Sequence, residues 1–358
     1  MTRPSVRRGW LEARRRDGRG SDQFVELPWD EALDITAIEI DRVRREHGNE
    51  AIFRGSYGWG STGRFHHTQS QVHRFLNCIG GYVASFGSYS TGCAQSIIPH
   101  GLGVDFLKLL YEHQDGWQTI HEHTDTLVMF GGINPKNSQV SMGGVTIHET
   151  ARWFDRFASK GMRCINTGPQ RSDAPDGSEW MPVRLGSDTA LMLALAFVLE
   201  KEGLADHSFL QSHSVGFERF RPYLMGDTDG LPKTPEWASQ LCGVDPDAIS
   251  ELARHMAATR TLITVSWSLQ RAEHGEQPDW MSVVLAAMLG KVGLPGGGIG
   301  FGYGAIGGVG KSLVGLRDMT FPQLFNPVET TIPVARMADM LRNPGKPYCL
   351  TSAHPVKA

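Results

Sequence analysis

Unbroken apolar runs and helix-period stripes alternate along most of the chain. Thr126-Leu127-Val128-Met129-Phe130 has almost no polar interruption, and Thr261-Leu262-Ile263-Thr264-Val265-Ser266 repeats the pattern. A strand with one wet face alternates, so a continuous run predicts a strand buried on both faces, as parallel strands are. Met162-Arg163-Cys164-Ile165-Asn166 and Met181-Pro182-Val183-Arg184-Leu185 read as shorter strands of the same sheet. Between and after these runs the pattern predicts helices over about 145–160, 188–201, 206–211, 235–241, 245–258 and 278–289. Strands feeding helices in this order predict an α/β fold of doubly wound, mostly parallel, Rossmann-like sheets. Such sheets take ligands at the loops on their strands' carboxyl ends.

The first hundred residues carry a different pattern. A helix is expected over about 29–47, with Ala32, Ile35, Ile38, Ile40 and Val43 as its apolar side. Asp30 and Glu31 open it, Arg42, Arg44 and Arg45 close it, and Gly48 ends it, in keeping with the dipole and a glycine stop. A short strand at Ala51-Ile52-Phe53 and a helix over about 68–79 follow. Next comes a turn crowded with hydroxyls, Gly87-Ser88-Tyr89-Ser90-Thr91-Gly92, leading into a helix over about 91–103. Flanking glycines let such a turn present one oxygen to a bulky ligand. Ser90 could equally cap the helix that follows.

Composition narrows the class. With 358 residues the chain exceeds one ordinary core and should hold two lobes. Forty-two glycines imply many tight turns or close backbone approaches to a ligand. A net charge of −3 gives no general attraction to nucleic acid or anionic membrane, although seven arginines crowd the first twenty residues. The five cysteines stand singly, without C-x-x-C, so neither a zinc knuckle nor an iron–sulfur cradle is encoded. No apolar segment follows Met1 as in a signal peptide, and no run is long enough to span a membrane.

Several sharp-looking motifs lose force in context. Gly302-x-Gly304-x-x-Gly307 matches the dinucleotide fingerprint, yet neither a feeding strand nor a following helix is expected around it. Ala305-Ile306-Gly307-Gly308-Val309-Gly310-Lys311-Ser312 misses a P-loop for the same reason. A flexible glycine loop over a larger cofactor explains both. His121-Glu122-His123 reads as a polar turn rather than a metal chelate, and there is no G-x-S-x-G elbow.

Six segments in order carry a family resemblance. They are Arg3–Trp10, Gly55–Trp59, Tyr89–Gln95, Gly186–Met192, Trp267–Gln277 with its Gln270-Arg271-x-x-His274-Gly275, and Leu294-Pro295-Gly296-Gly297-Gly298. Over residues 3–345 the chain resembles the mononuclear molybdenum oxidoreductases of the dimethyl sulfoxide reductase family. Within that family it is most similar to the branch that reduces biotin sulfoxide and trimethylamine N-oxide. The resemblance implies removal of an oxygen atom from an S-oxide or N-oxide, such as biotin, methionine or dimethyl sulfoxide or trimethylamine N-oxide. It implies a molybdenum bis(molybdopterin guanine dinucleotide) cofactor and, with no cysteine cluster here, a separate electron-donor protein. Ser90 matches the serine ligand of molybdenum, and Tyr57 and Trp59 match the aromatic pair over the metal. Asn134, Pro135, Asn166, Gly168, Arg171, Ser187, Asp188, Gln270, Arg271, Gly296, Gly297 and Gly298 match the positions that hold pterins and guanine nucleotides.

The implied domain plan has three parts. Residues 1–105 begin a discontinuous α/β domain carrying the metal-ligand loop, 106–325 form an inserted Rossmann-like domain, and 326–358 start the return to the first. Family members are longer, so the chain reads as a truncated member, two lobes of a larger molybdoenzyme. An inactive fragment that keeps only the α/β lobes is the rival reading, and a nucleotide-binding dehydrogenase built on Gly302–Gly307 is a third. The choice among oxides and between cytoplasm and periplasm stays open.

Overall fold

The computed structural model describes residues 2–55, 60–61, 64–141, 144–311, 320–346, 348–349 and 355–356. The chain forms a mixed α/β structure whose principal sheet is parallel, divided into two compact units. The described residues of 1–57, 68–87 and 320–358 form one unit, and those of 58–67 and 88–319 form the other.

The larger unit is built on five parallel strands. Thr126–Phe130 lies at the centre, with Arg163–Thr167 and then Glu179–Trp180 on one side. Thr261–Val265 and then Gly298–Phe301 lie on the other. The chain thus starts in the middle, winds outward one way, and returns to wind the other way. Every residue of Thr126–Phe130 and Thr261–Val265 is buried, as their unbroken apolar runs require. Helix Asp188–Lys201 is buried continuously from Ala190 to Ala196 and packs against helices Pro235–Cys242, Pro246–Ala258 and Glu276–Met288.

The division between the units falls at Gly87–Ser88, so the hydroxyl-rich turn belongs to the larger unit. The reason is packing: helix Gly92–Leu102 lies against helix Glu276–Met288, and Ala94 and Ile98 are fully buried. Met181–Leu185 does not pair as a strand. Pairing stops at Glu179–Trp180, and Pro182 has no N–H to extend it. The 145–160 helix begins only at Thr150, because Gly144–Val145 pairs with Val140–Ser141 as a small antiparallel ladder. His121 and His123 fall in the last turn of helix Trp117–His123, and no metal-binding cluster occurs among the described residues.

The smaller unit is thinner. Ser5–Arg7 pairs antiparallel with Phe24–Glu26, and Ala84–Phe86 pairs parallel with Thr331–Pro333. Ala51 ends a 3₁₀ turn that starts at Asn49, and only Phe53 bridges to Val83, so the expected strand there shrinks to a single bridge. Amide side chains set the double-glycine turn. Asn49 Nδ2 donates to the carbonyls of Ile79 and Gly81, while Asn326 both accepts from the Tyr82 N–H and donates to the Tyr82 carbonyl. No described helix is long and apolar enough to cross a membrane.

Candidate functional site

The strand order creates a crevice. Thr126–Phe130 and Thr261–Val265 are neighbours, yet the chain leaves them in opposite directions, and the loops at their carboxyl ends part. A cavity of about 560 Å³ opens there. Gly131, Gly132 and Asn134 line it after the central strand, Gly168, Gln170 and Asp173 after the next, and Ser266, Ser268 and Arg271 after Thr261–Val265. Asp188, the first residue of the buried helix, completes the wall. Gly132 has φ +73°, and a Cβ there would sit 2.7 Å from the Asp173 carbonyl oxygen, so only glycine lets these two loops close.

The wall is polar and carries both signs of charge. Burial pushes the Asp188 carboxyl up to about 6, and burial also raises Asp173, against the pull of Lys136. Asn134 Nδ2 donates to Asp173 Oδ1 at 3.0 Å, while the Asp173 carbonyl accepts from the Ile133 N–H. The Arg271 guanidinium makes no ion pair among the described residues. Asn166 is fully buried below Gly132 and Gly168; its Nδ2 donates to the Gln170 carbonyl, and its Oδ1 has no partner. A buried acceptor without a donor costs free energy unless something arrives to satisfy it.

The Ser90 turn lies in the same unit. Its N–H donates to Ser88 Oγ at 3.0 Å, and its carbonyl accepts from Gln270 Nε2 at 2.8 Å. The Ser90 hydroxyl makes no hydrogen bond among the described residues. Neither Ser90 nor Thr91 caps helix Gly92–Leu102: Thr91 occupies the cap position with no side-chain cap bond, and its hydroxyl accepts from Gln95 Nε2 instead. The helix's exposed donor at Cys93 is taken by Gln270 Oε1 at 2.8 Å. Below the turn, Asp279 of helix Glu276–Met288 is 2% exposed, its Oδ2 unpartnered, and burial pushes its carboxyl up to about 7. Burial, with Asp279 and Glu276, also raises the Cys93 thiol, which therefore stays protonated.

The structure gathers part of the expected set and disperses the rest. Asn134, Gly168, Asp188 and Arg271 line the cavity, with Asn166 beneath it. Gln270 is adjacent in sequence but turns toward the Ser90 backbone. Pro135 is half-buried behind Asn134, where its carbonyl accepts from Ser138. Ser187 donates to the Arg184 carbonyl and does not cap its helix, and Arg171 is exposed outside the cavity wall. Gly296, Gly297 and Gly298 lie at the amino end of their strand, opposite the cavity: Gly298 pairs with Leu262, and a Cβ on Gly296 would strike His123 and Thr124. Tyr57 and Trp59 lie outside the described residues.

Gly302-x-Gly304-x-x-Gly307 does follow a strand, Gly298–Phe301, contrary to expectation, because Ile299 and Phe301 are buried at the sheet edge. No helix occurs among the described residues 302–311, and the Gly307 N–H donates to the Val140 carbonyl, so no helix end faces a phosphate there. Asp173 and Asp279 were missed by motif reading. The first could have been found from its place in a strand-end loop; the second has no local signal.

The molybdopterin oxidoreductase family model matches residues 1–345. Biotin sulfoxide reductase of Cereibacter sphaeroides is 45% identical over 353 residues, 97% of this chain and 47% of that protein. Trimethylamine-N-oxide reductase of Haemophilus influenzae is 39% identical over 96% of this chain and 43% of its own length. Dimethyl sulfoxide/trimethylamine N-oxide reductase of Rhodobacter capsulatus is 40% identical over the same two shares. The chain spans a little under half the length of these curated relatives.

Proposed function

The chain belongs to the molybdopterin oxidoreductase family, and from that premise we propose that it serves a molybdenum-dependent reductase of S-oxides or N-oxides. The observation that carries the reading is the polar cavity at the point where the strand order reverses. That order supports reading the sheet as doubly wound and Rossmann-like, the architecture that seats nucleotides in such a crevice. We infer that the cavity takes one guanine nucleotide of a bis(molybdopterin guanine dinucleotide) cofactor.

The residues present fit that group. Asp188 offers a carboxylate to the N–H edge of guanine, and Arg271 offers an unengaged guanidinium to the diphosphate. Asn166 Oδ1 is an acceptor waiting for a donor, and Gly132 and Gly168 let backbone approach closely. Pro135, Ser187 and Arg171 frame the same loops. The unengaged Ser90 hydroxyl supports its role as the protein's oxygen ligand, since a hard, high-valent metal favours an alkoxide.

When bound, the group supplies oxygen-atom transfer: the S–O or N–O bond breaks, two electrons and two protons are taken up, and water leaves. The chain's part is to anchor through Ser90, orient through the cavity, and, through the Tyr57 hydroxyl and Trp59 indole N–H, donate to the substrate oxygen. The electrons come from a separate donor protein. The test is composition of protein made in a host competent for the cofactor. Stoichiometric molybdenum with two guanine nucleotides per metal supports the reading. A folded chain that carries no molybdenum and binds no guanosine diphosphate overturns it.

A further inference from the structure

The structure assigns Gln270 as a positioning residue that holds the Ser90 turn and frees the Ser90 hydroxyl, an inference that rests on Ser90 being the ligand. The four leading N–H groups of a helix need acceptors, and a serine or threonine at the cap usually supplies one from its own side chain. Here neither Thr91 nor Ser90 does so. Gln270, 177 residues away in sequence, accepts from the Cys93 N–H at 2.8 Å, and its Nε2 donates to the Ser90 carbonyl at 2.8 Å. One amide thus bridges both sides of the turn. Its orientation is fixed by chemistry, because only oxygen can accept from Cys93 and only nitrogen can donate to Ser90.

The clamp is firmly seated. Gln270 is 6% exposed, and its own carbonyl accepts from the Cys93 thiol at 3.8 Å. A Cβ on Gly275 would lie 1.9 Å from the Gln270 carbonyl oxygen, and His274 adopts φ +56°, so the loop is wound tightly around this residue. Ser266, Ser268 and Arg271 of the same loop line the cavity. One loop therefore braces both the cavity wall and the turn that presents Ser90.

Gln270→Glu separates the two bonds. It keeps the acceptor for Cys93 but sets a carboxylate oxygen against the Ser90 carbonyl. Hydrogen–deuterium exchange on the full chain, without added ligand, reads the clamp. In Gln270→Ala the Cys93 amide should exchange about tenfold faster than in the parent, with strands Thr126–Phe130 and Thr261–Val265 unchanged. In Gln270→Glu, which keeps the acceptor for Cys93, the Cys93 amide should exchange within about twofold of the parent. An unchanged Cys93 amide in Gln270→Ala, equal loosening of the central strands, or a Cys93 amide as fast in Gln270→Glu as in Gln270→Ala overturns the assignment. Guanosine diphosphate added to the parent examines the cavity separately. Protection of 131–137 and 168–173 supports the nucleotide reading of the cavity. Its absence sinks that reading, while the ligand-free comparison still decides the clamp.

Discussion

Two helices of this chain show what apolar residues achieve with and without a partner surface. Asp188–Lys201 is apolar on almost every side and lies inside the larger unit, with Leu191, Leu195 and Leu199 fully buried. Trp29–His47 is longer and better marked at its ends, with Asp30 and Glu31 first and Arg44, Arg45 and His47 last, yet none of its residues is buried. Arg42 pairs with Glu39 and Glu46 along its surface. Exposed pairs of that kind contribute little, roughly 0.3–0.5 kcal/mol each. End signals therefore specify where a helix runs, while burial specifies how firmly it is held.

The largest contrast should come from one substitution placed in both helices. Leu195→Ala removes a fully buried side chain and is expected to cost about 3 kcal/mol, read by urea unfolding of the larger unit. A loss below about 1 kcal/mol would mean that the helix is not part of the core.

Asp279→Asn sharpens the comparison by placing polarity inside the same core. In the folded chain the carboxyl is raised to about 7, so between its ordinary value and about 7 the folded state holds a proton that the unfolded state releases. Stability thus falls as pH rises through that window. The variant should unfold later than the parent near pH 8, by on the order of 2 kcal/mol, and match it near pH 4. Equal melting curves at both pH values would show that the carboxyl is solvated.

Asp188→Asn tests the point where the buried helix meets the cavity. Loss of a charged acceptor should weaken guanosine diphosphate binding about tenfold, measured by calorimetry, with no loss of stability at neutral pH, since burial holds the Asp188 carboxyl up at about 6. Smallest of all, Leu33→Ala on the unburied helix should change stability by no more than about 0.5 kcal/mol, because Leu33 is 58% exposed. A loss comparable to that of Leu195→Ala would erase the distinction.

Much of the larger unit was legible along the chain. Thr126–Phe130 and Asp188–Lys201 appear where expected, because a continuous apolar run or a helix apolar on almost every side declares itself locally. Met181–Leu185 was misread because its apolar residues are real but Pro182 interrupts pairing. The candidate site was legible only in pieces. Asn134, Gly168, Asp188 and Arg271 could be named from the family resemblance and meet at one cavity, whereas the Gly296–Gly298 turn sits at the other end of the sheet. Glycines look alike in sequence whether they admit a ligand or, as at Gly296, a neighbouring backbone.

The sequence by itself determined the alternation of buried strands and helices, the family, and the hydroxyl-rich turn around Ser90. Those follow from short-range patterns, and short-range patterns survive in a string of letters. Only the tertiary structure decided which strands are neighbours, where their loops part to leave a cavity, and that Gln270 rather than Ser90 meets the free donor of the helix. Such contacts join residues some 180 positions apart, and their geometry is set by packing the whole sheet rather than by any local preference.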